Sequence, residues 1–467
     1  MRLISLIFAV ALGATALEAA QGNTAAASKG HPPNVLLITI DTLRADHLSC
    51  YGYAKRTSPY IDQLAKEGTR FARAYTVIPL TGPSHLAIMC SRYPQEDGAR
   101  RNGDAIDNGL HIVMLPQVLS SHGYQTAAFV SAWPLLGRLT HLNDYFDYYN
   151  EDLTRTYQLF NSMRWAQDVT PPAMKWLRAA AKKNKPFFLW VHYFDPHSPY
   201  MFRAAYNPPN VDPAHPFKPT GDSDFRQRVK AYDSEIYYCD HYIDNLLHAL
   251  DQLHIKKSTI VVLVADHGES LGQHGYVGHG RHLYEGIIHV PLIIRWPGHV
   301  KAGQVVDTPV QTIDIMPTVL HLALPQVMAN KSNPIHFSGR SLAPVLTSAD
   351  PLTNRWIHYV TFAGKKGYAP KWMSWIWVHK EELPLRFGRT DGDSKMVWDP
   401  GASKLYLYNL QTDPHELHPR VFKKGNKTYK ADTSRLKEWF MRTETRAQNR
   451  KLSAHDIEVL KSLGYVQ

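Results

Sequence analysis

Short apolar segments bounded by turn residues recur along the first three quarters of the chain, with amphipathic segments between them. Apolar runs of about four to eight residues are typical of buried strands, and apolar positions spaced three and four apart are typical of helices. The predicted strands are 34–40, 125–131, 186–192, 259–265 and 290–296. The predicted helices are 59–67, 115–122, 172–182, 228–253 and 313–322. This alternation predicts an α/β fold with a mainly parallel sheet flanked by helices.

The pattern changes near residue 350. Aromatic and charged residues interleave over 356–398, and the stretch 420–451 carries 11 Lys and Arg against 3 Asp and Glu. We therefore predict a catalytic domain over 34–350 and a smaller C-terminal domain with a basic tail over 351–467.

The N-terminus has the pattern of a secretory signal. Arg2 precedes an apolar run over 3–12 and small residues over 13–16, as in cleaved signal peptides. The run is shorter than the ~20 residues that span a bilayer. The sequence predicts a signal peptide over 1–20, a linker over 21–33 and export to the periplasm or the medium. Export argues against a nucleic-acid partner.

Composition narrows the class of protein. With 467 residues, 44% of them hydrophobic and 11% aromatic, a disordered or fibrous chain is excluded. Three cysteines allow at most one disulfide, which excludes a small fold held together by disulfides.

The net charge of +11 predicts an anionic partner, but most of that charge lies in the C-terminal domain, where 351–467 holds 21 basic and 12 acidic residues. The basic stretch 420–451 is therefore either a solvated face or a contact for an anionic membrane surface or a polyanionic glycan. The sequence leaves the oligomeric state open.

Candidate chemistry lies where two of the predicted strands end. Strand 34–40 is followed by Asp41, and strand 259–265 is followed by Asp266 and His267. The carboxyl ends of parallel strands meet at one edge of an open sheet, where such folds bind ligands. Two carboxylates and an imidazole at that edge would suit a divalent metal.

A third element is Thr81-Gly82-Pro83-Ser84-His85, where proline suits the first turn of a helix. A hydroxyl at that helix start, close to a metal, would become a usable nucleophile. The alternative is that Thr81 only caps the helix, and the neighbouring Asp41 and Asp266-His267 favour the nucleophile.

These motifs, taken together, resemble the sulfatase branch of the alkaline phosphatase superfamily. The resemblance covers almost the whole chain after its N-terminal segment. The segments that carry it are 34–44 (NVLLITIDTLR), 81–85 (TGPSH), 187–200 (FFLWVHYFDPHSPY), 265–275 (ADHGESLGQHG), 283–285 (LYE), 290–298 (VPLIIRWPG) and 407–416 (LYNLQTDPHE). The resemblance implies an alkaline phosphatase-like fold, with a central mixed, mainly parallel sheet and a smaller C-terminal domain.

The resemblance also implies roles for individual residues. Asp41, Asp266 and His267 would be metal ligands, and Thr81 would be the nucleophile that also touches the metal. His197 would protonate the leaving group.

Three further residues complete the implied catalytic set. Asn102 lies where phosphodiesterase and phosphonate monoester hydrolase relatives place an amide on a non-bridging oxygen. His85 stands where sulfatases have Arg, and His279 stands where many sulfatases have Lys. Each replaces a permanent cation with an imidazole, which would titrate near neutrality.

The chain departs from sulfatases at the nucleophile. Sulfatases carry Cys or Ser that is oxidised to formylglycine, whereas Thr81 cannot give an aldehyde, and no formylglycine is expected. A sulfated threonine must wait for water to attack sulfur, while a phosphothreonine is hydrolysed by an in-line water. This difference favours phosphodiesters or phosphonate monoesters over sulfate esters. The segment Cys90-Ser91-Arg92 is not a sulfatase signature, since Tyr93 and Pro94 break the order.

The metal set departs as well, because Thr42 replaces the second Asp of the family pair. Losing one carboxylate favours a single Mn²⁺ or Zn²⁺ over Ca²⁺.

We therefore expect an exported, metal-dependent hydrolase that cleaves a phosphodiester or phosphonate monoester through a covalent Thr81 intermediate. Its substrate would be an anionic small molecule or a glycan-derived or lipid-derived ester. The alternatives are a sulfuric ester hydrolase, a phosphoryl headgroup transferase, and a non-catalytic protein that binds anions or carbohydrate.

Overall fold

The computed structural model describes residues 32–443 except 107–109, 111, 154, 158–159, 215–218, 331–334, 349 and 363–384. The predicted signal peptide, nearly all of the linker and residues 444–467 lie outside the described residues, and so does part of the basic stretch. No helix in the described part of the chain combines the length and apolar character needed to cross a bilayer.

A nine-stranded mixed sheet forms the centre of the molecule. Its strands run in the order β12-β2-β11-β8-β1-β7-β3-β4, and β13 also pairs with β2. The bounds are β1 Asn34–Ile40, β2 Thr69–Tyr75, β3 Gln125–Phe129, β4 Tyr148–Asn150, β7 Phe187–Tyr193, β8 Thr259–Ala265, β11 His289–Arg295, β12 Gln304–Val306 and β13 Val310–Gln311. Two short hairpins lie outside this sheet: β5 Arg155–Tyr157 with β6 Phe160–Met163, and β9 Ser270–Leu271 with β10 Val277–Gly278.

The central strands are buried on both faces. Every residue of β7 and β8 is buried, as a continuous apolar run predicts for a parallel strand covered by helices. Strand β1 is parallel to both neighbours, and only β11 runs antiparallel to the strands beside it. The predicted α/β class with a mixed, mainly parallel sheet is confirmed.

The helices lie between the strands along the chain. Their bounds are α1 Pro59–Glu67, α2 Thr81–Cys90, α3 Pro94–Asp97, α4 Leu115–Ser121, α5 Gly137–Thr140, α6 Ala166–Ala180, α7 Ser223–Gln252, α8 Glu285–Ile288, α9 Ile315–Ala323, α10 Pro325–Ala329, α11 Ala343–Thr347 and α12 Lys427–Thr443. The apolar sides of α1, α6, α7 and α9 share one core with the sheet.

All five predicted strands are present within two residues of their bounds, but helix α6 begins earlier than predicted. The predicted helix starts at Pro172, whereas the observed helix begins at Ala166. The Asp168 side chain accepts from the backbone N–H of Trp165, at 3.3 Å, and so caps the true start. The prolines then fall inside the helix, where Val169, Ala173 and Leu177 are buried.

A second, antiparallel sheet follows in the C-terminal part of the chain. Its order is β14-β15-β16-β17-β18, with bounds Ile357–Thr361, Arg386–Thr390, Ser394–Asp399, Lys404–Asn409 and Arg420–Lys423. This sheet and α12 contribute Val360, Phe387 and Phe440 to a buried cluster with Leu80. The smaller C-terminal domain therefore has its own sheet but shares an apolar core with the catalytic part. The boundary at residue 350 stays a prediction.

Candidate active site

Two carboxylates meet at the carboxyl edge of the central sheet. Strands β1 and β8 are parallel neighbours, and Ile40 pairs with Ala265. The residues that follow this pair, Asp41 after β1 and Asp266 after β8, therefore lie side by side. Both side chains are fully buried, and the backbone N–H groups of Thr42 and His267 donate to Asp266 Oδ1, at 3.2 and 2.8 Å.

His267 completes a cluster of three groups that could hold a metal ion. One ligand atom from each of Asp41, Asp266 and His267 lies within 4.8 Å of the others. His267 Nε2 is 3.9 Å from Asp41 Oδ1 and 3.4 Å from Asp266 Oδ2. His267 Nδ1 lies 3.0 Å from the Gly268 carbonyl, so that Nδ1–H donates and Nε2 keeps its lone pair toward the carboxylates.

The donor set of this cluster fits a divalent cation. Asp41 Oδ1 and Asp266 Oδ2 are buried and accept no hydrogen bond from any described residue. Burial and mutual repulsion with nearby Glu269 raise the pKa of both carboxyls well above the usual range. A cation would remove this cost, because it supplies the missing partner for each oxygen. Two carboxylates and one imidazole are ligands that Mn²⁺ and Zn²⁺ accept.

Thr81 brings a hydroxyl to the same cluster. Its Oγ1 donates toward Asp41 Oδ2 at 3.4 Å and lies 3.4 Å from His267 Nε2. Thr81 is the first residue of α2, and no side-chain cap is made at the preceding residue, Leu80. The hydroxyl is thus directed at the candidate metal ligands, and the structure does not support the alternative in which Thr81 only caps the helix.

The start of α2 is fixed to the strand that carries Asp266. Ser84 Oγ donates to the Asp266 carbonyl at 2.7 Å, and every residue of α2 is buried. A helix held on all sides in this way gives Thr81 a defined position, which a nucleophile requires.

Asn102 lies over the residue that follows Thr81. Its Oδ1 accepts from the Gly82 backbone N–H at 2.8 Å, which leaves the amide nitrogen to point elsewhere. Asn102 Nδ2 is buried and donates to no described residue. A side chain at Gly82 would come within 3.3 Å of Asn102 Oδ1, so glycine permits this close approach. The free N–H₂ group is suited to an oxygen of a bound anion.

His197 and His279 form a row of rings that leads to His267. The His197 ring stacks on Phe194 at 4.3 Å and meets His279 edge-on at 5.2 Å. His279 in turn lies against His267 at 4.3 Å. His197 Nδ1–H donates to the Ser198 carbonyl at 2.6 Å, and burial lowers the pKa of His197 to about 4.

His85 lies behind Thr81 and has both ring nitrogens engaged. Nδ1–H donates to the Thr81 carbonyl at 2.7 Å, and Nε2 accepts from the Thr39 hydroxyl at 3.0 Å. Burial lowers the pKa of His85 to about 4. The expectation that His85 titrates near neutrality is therefore wrong, because a buried imidazolium loses its hydration. His85 is placed to hold Thr81 in position.

Sequence reasoning assigned no role to His192 or Glu269. His192 Nε2 is 3.6 Å from Asp41 Oδ2, and Nδ1 accepts from the Ser131 backbone N–H at 3.2 Å. Glu269 Oε1 accepts from His279 Nδ1–H at 3.1 Å. His192 pairs with Thr39, two residues before Asp41, in a register of β1 with β7 that the apolar pattern does not specify.

Cys90 takes no part in the site. It closes α2 and is buried, and its thiol donates toward Asp97 Oδ2 at 3.7 Å. Burial raises the pKa of this thiol well above its usual value. Cys90 therefore packs within the helix that Thr81 begins.

The chain resembles known proteins in both sequence and fold. A family model described as "Sulfatase" matches residues 33–325, and a second, "N-sulphoglucosamine sulphohydrolase, C-terminal", matches residues 272–445. The first match spans both strands of the metal cluster and the start of α2. The second spans the antiparallel sheet and the whole of α12.

Individual relatives agree with the family match. An uncharacterised sulfatase of Escherichia coli K12 is 25% identical over 445 residues, which cover 83% of this chain and 82% of the relative. The N-acetylglucosamine-6-O-sulfatase of Bacteroides thetaiotaomicron is 24% identical over 483 residues, with 83% and 82% covered. A phosphonate monoester hydrolase from Silicibacter pomeroyi has a similar fold, with a TM-score of 0.66, 22% identity, and 90% of this chain and 97% of that chain covered.

Proposed function

Because the chain belongs to the sulfatase family, we propose that it is a metal-dependent hydrolase that cleaves sulfate esters on an anionic glycan, with Thr81 as its nucleophile. The observation that carries the proposal is the Thr81 hydroxyl, 3.4 Å from both Asp41 and His267 within the candidate metal cluster. The sequence alone favoured phosphodiesters or phosphonate monoesters. The curated relatives support sulfate esters better, because those named above are sulfatases.

The proposed metal ligands are Asp41, Asp266 and His267, with the Thr81 hydroxyl at the edge of the set. A divalent cation bound there would supply positive charge that lowers the pKa of a neighbouring hydroxyl and stabilises negative charge on the ester. We propose Mn²⁺ or Zn²⁺ before Ca²⁺, since Thr42 leaves the site with one carboxylate fewer than the family pair.

In the proposed first step, the Thr81 hydroxyl gives its proton to Asp41 Oδ2, toward which it already donates. Its oxygen attacks sulfur on the side opposite the ester oxygen, and the bond between sulfur and the ester oxygen breaks. His85 holds the Thr81 carbonyl, and α2 holds the backbone, so the hydroxyl is already oriented. The Asn102 amide would donate to a non-bridging oxygen, where negative charge accumulates.

The leaving alcohol would take its proton from His197. The Nδ1–H of His197 is engaged with the Ser198 carbonyl, so Nε2 is the atom that would carry the transferred proton. His279, held by Glu269, lies between His197 and His267 and would contact the oxygens of the bound group. Water would then attack the sulfothreonine at sulfur and give a proton to His197, which lost its own to the alcohol. The bond between sulfur and the Thr81 oxygen would break, the Thr81 oxygen would take its proton back from Asp41, and sulfate would be released.

Phosphodiester or phosphonate monoester hydrolysis is the second candidate. The observation in its favour is Thr81 itself, because a threonine cannot give the formylglycine hydrate from which sulfate is readily expelled. A phosphothreonine would pass through the same contacts and be opened by an in-line water. A phosphoryl headgroup transferase would share this intermediate.

The test is a panel of aryl esters. The purified protein with Mn²⁺ or Zn²⁺ is incubated with aryl sulfate, phosphonate monoester and phosphodiester substrates, quenched, and examined by mass spectrometry for a modified Thr81. Turnover of the sulfate and a sulfated Thr81 are expected. Turnover of phosphorus esters alone, with phosphothreonine, would establish the second candidate. No turnover and no adduct with any ester would favour a non-catalytic binding protein.

Export is part of the proposal. It rests on the signal-peptide pattern of residues 1–20. Expression of the full chain in a bacterium, followed by fractionation and N-terminal sequencing, is expected to give a shortened chain in the periplasm or medium. A full-length chain in the cytoplasm would contradict export.

A further inference from the structure

The end of the described chain carries a group of basic side chains that the proposed chemistry does not use. Strand β18, the turn after it and helix α12 contain eight Lys and Arg, all of them exposed. Two of these, Arg435 and Arg442, form ion pairs with Asp432 and Glu438. The other six make no ion pair with any described residue, and we refer to them as the basic face: Arg420, Lys423, Lys424, Lys427, Lys430 and Lys437.

The helix positions of the basic face lie on one side of α12. Residues 427, 430 and 437 project within about a quarter turn of one another at 3.6 residues per turn. The buried residues Leu436 and Phe440 lie on another side, centred about a third of a turn away from the lysines. The lysines therefore form a stripe along the outer surface of the helix, continuous in sequence with the cations of the turn and of β18.

The charges of the basic face are not neutralised within the fold. The segment 420–443 contains two acidic residues, and Asp432 is buried between Arg389 and Arg435. Like charges held close together repel one another, and this repulsion destabilises a fold unless an anion is bound. A chain of regularly spaced negative charges is the partner that matches a stripe of cations.

We propose that the basic face binds a polyanionic polysaccharide, so that an ester-bearing chain is held while the active site acts on it. This inference rests on the proposed function. A membrane surface fits less well, because interfacial helices insert an apolar side, and the apolar side of α12 is already buried in the protein.

The position of α12 relates the basic face to the active site. Leu436 and Phe440 belong to the same buried cluster as Leu80, the residue that precedes Thr81. The basic face is thus the outer side of a helix whose inner side shares a buried apolar cluster with the residue before Thr81. A polysaccharide held there would raise the local concentration of its ester groups near Thr81.

The test compares two triple variants that remove the same charge. The first is Lys427→Gln, Lys430→Gln, Lys437→Gln. The control is Lys182→Gln, Lys183→Gln, Lys185→Gln, three exposed lysines just before β7 begins, at the opposite end of the strands from the site. Binding of fluorescent dextran sulfate is measured at several salt concentrations, with uncharged dextran and phosphatidylserine vesicles as comparison probes.

The expected result is salt-dependent binding of dextran sulfate that weakens about tenfold in the first variant and hardly at all in the control, with a shallower dependence of log Kd on log salt. If the first variant misfolds, Lys423→Gln with Lys424→Gln removes two charges from outside α12. Equal weakening in both triple variants, unchanged binding in the first, or preferential binding to vesicles would overturn the proposal.

The experiment separates this proposal from the catalytic one. Turnover of a small aryl ester is expected to be the same in both triple variants, since neither touches the site. The Thr81→Ala variant is expected to bind dextran sulfate as the unaltered protein does. Loss of ester turnover with intact dextran sulfate binding would count against the proposed function alone, and the reverse would count against the basic face alone.

Discussion

The side chain of Thr81 is buried, and its hydroxyl lies among the candidate metal ligands and makes no hydrogen bond to the backbone of a described residue. We expect Thr81→Ala to reduce ester turnover about a thousandfold or more, as loss of a nucleophile does. The three ligands Asp41, Asp266 and His267 would remain. Metal binding, measured by calorimetry, is therefore expected to change little.

The control for this prediction is Thr81→Ser, which keeps the hydroxyl and is expected to retain activity. If Thr81→Ala still turned over ester at the original rate, another group would be the nucleophile. A loss of the thermal unfolding transition in Thr81→Ala would mean that the residue is structural.

His197 allows a prediction about pH. Burial lowers its pKa to about 4, because the charged imidazolium loses hydration. A proton donor acts only in its protonated form, and the protonated fraction of His197 falls about tenfold for each pH unit above the pKa. For alkyl sulfate esters, kcat/KM is therefore expected to fall as the pH rises above about 4, since kcat/KM reports the free enzyme.

The matching variant is His197→Gln. It is expected to remove this pH dependence and to reduce turnover of alkyl esters about a hundredfold or more, because an alkoxide leaves poorly without a proton. Nitrophenyl esters, whose leaving group needs no proton, are expected to lose much less. An equal loss for both ester types would indicate that His197 orients the substrate and donates no proton.

Some residues of the site could be predicted from the sequence, and others could not. Asp41, Asp266 and His267 follow apolar strands directly, and the parallel register then brings them together. His192 lies inside a strand that is buried along its whole length, where a polar residue reads as part of the core. Its approach to Asp41 depends on the pairing of β1 with β7, which the sequence pattern does not specify.

At the scale of elements, strand β2 shows what the apolar pattern misses. Its sequence TRFARAY carries two arginines, and three of its seven residues are only half-buried. It was not predicted, because an edge-side strand with charged positions lacks a continuous apolar run. Pairing with β11, which was predicted, and with β12 makes it a strand all the same.

One ion cluster joins the antiparallel sheet to the loop that carries the candidate metal ligands Asp266 and His267. Lys395 of β16 is fully buried and lies 3.0 Å from Glu285 Oε1 and 2.7 Å from Glu416 Oε1. Glu285 opens α8, and the carbonyl of the next residue, Gly286, accepts from the Glu269 backbone N–H at 3.0 Å. The motifs at 283–285 and 407–416 are thus joined by a lysine that neither contains.

We expect Lys395→Met to lower the free energy of unfolding by about 3 kcal/mol, because it leaves the buried Glu416 and the partly buried Glu285 without their cation. The control is Lys256→Met, which removes a lysine that is paired with Glu67 and Asp251 but is 28% exposed, and it is expected to cost less than about 1 kcal/mol. Denaturant unfolding measures both. Equal losses in the two variants would refute the role given to Lys395.

At the scale of the whole molecule, the two sheets share apolar surface. Val77, Ile78 and Leu80 lie between β2 and Thr81, and they pack against Val360 and Phe387 of the antiparallel sheet. The Val360 backbone N–H also donates to the Val77 carbonyl at 3.0 Å. The segment that leads to the nucleophile is therefore covered by the C-terminal part of the chain. The change in the sequence pattern near residue 350 indicates a separate sheet. It does not indicate whether the catalytic part can fold without that sheet.

We expect a chain that ends at residue 350 not to fold, whereas one that ends at 443 should fold like the full chain. Exposing Val77, Ile78 and Leu80 costs about 1.5–3 kcal/mol for each side chain, a sum comparable to the ~5–15 kcal/mol by which a typical domain is stable. Soluble yield, near-UV circular dichroism and metal binding of the two chains are the measurements. A soluble 1–350 chain that unfolds cooperatively and binds metal would mean that the catalytic part is an independent domain, and that Leu80 and Thr81 keep their places without the antiparallel sheet.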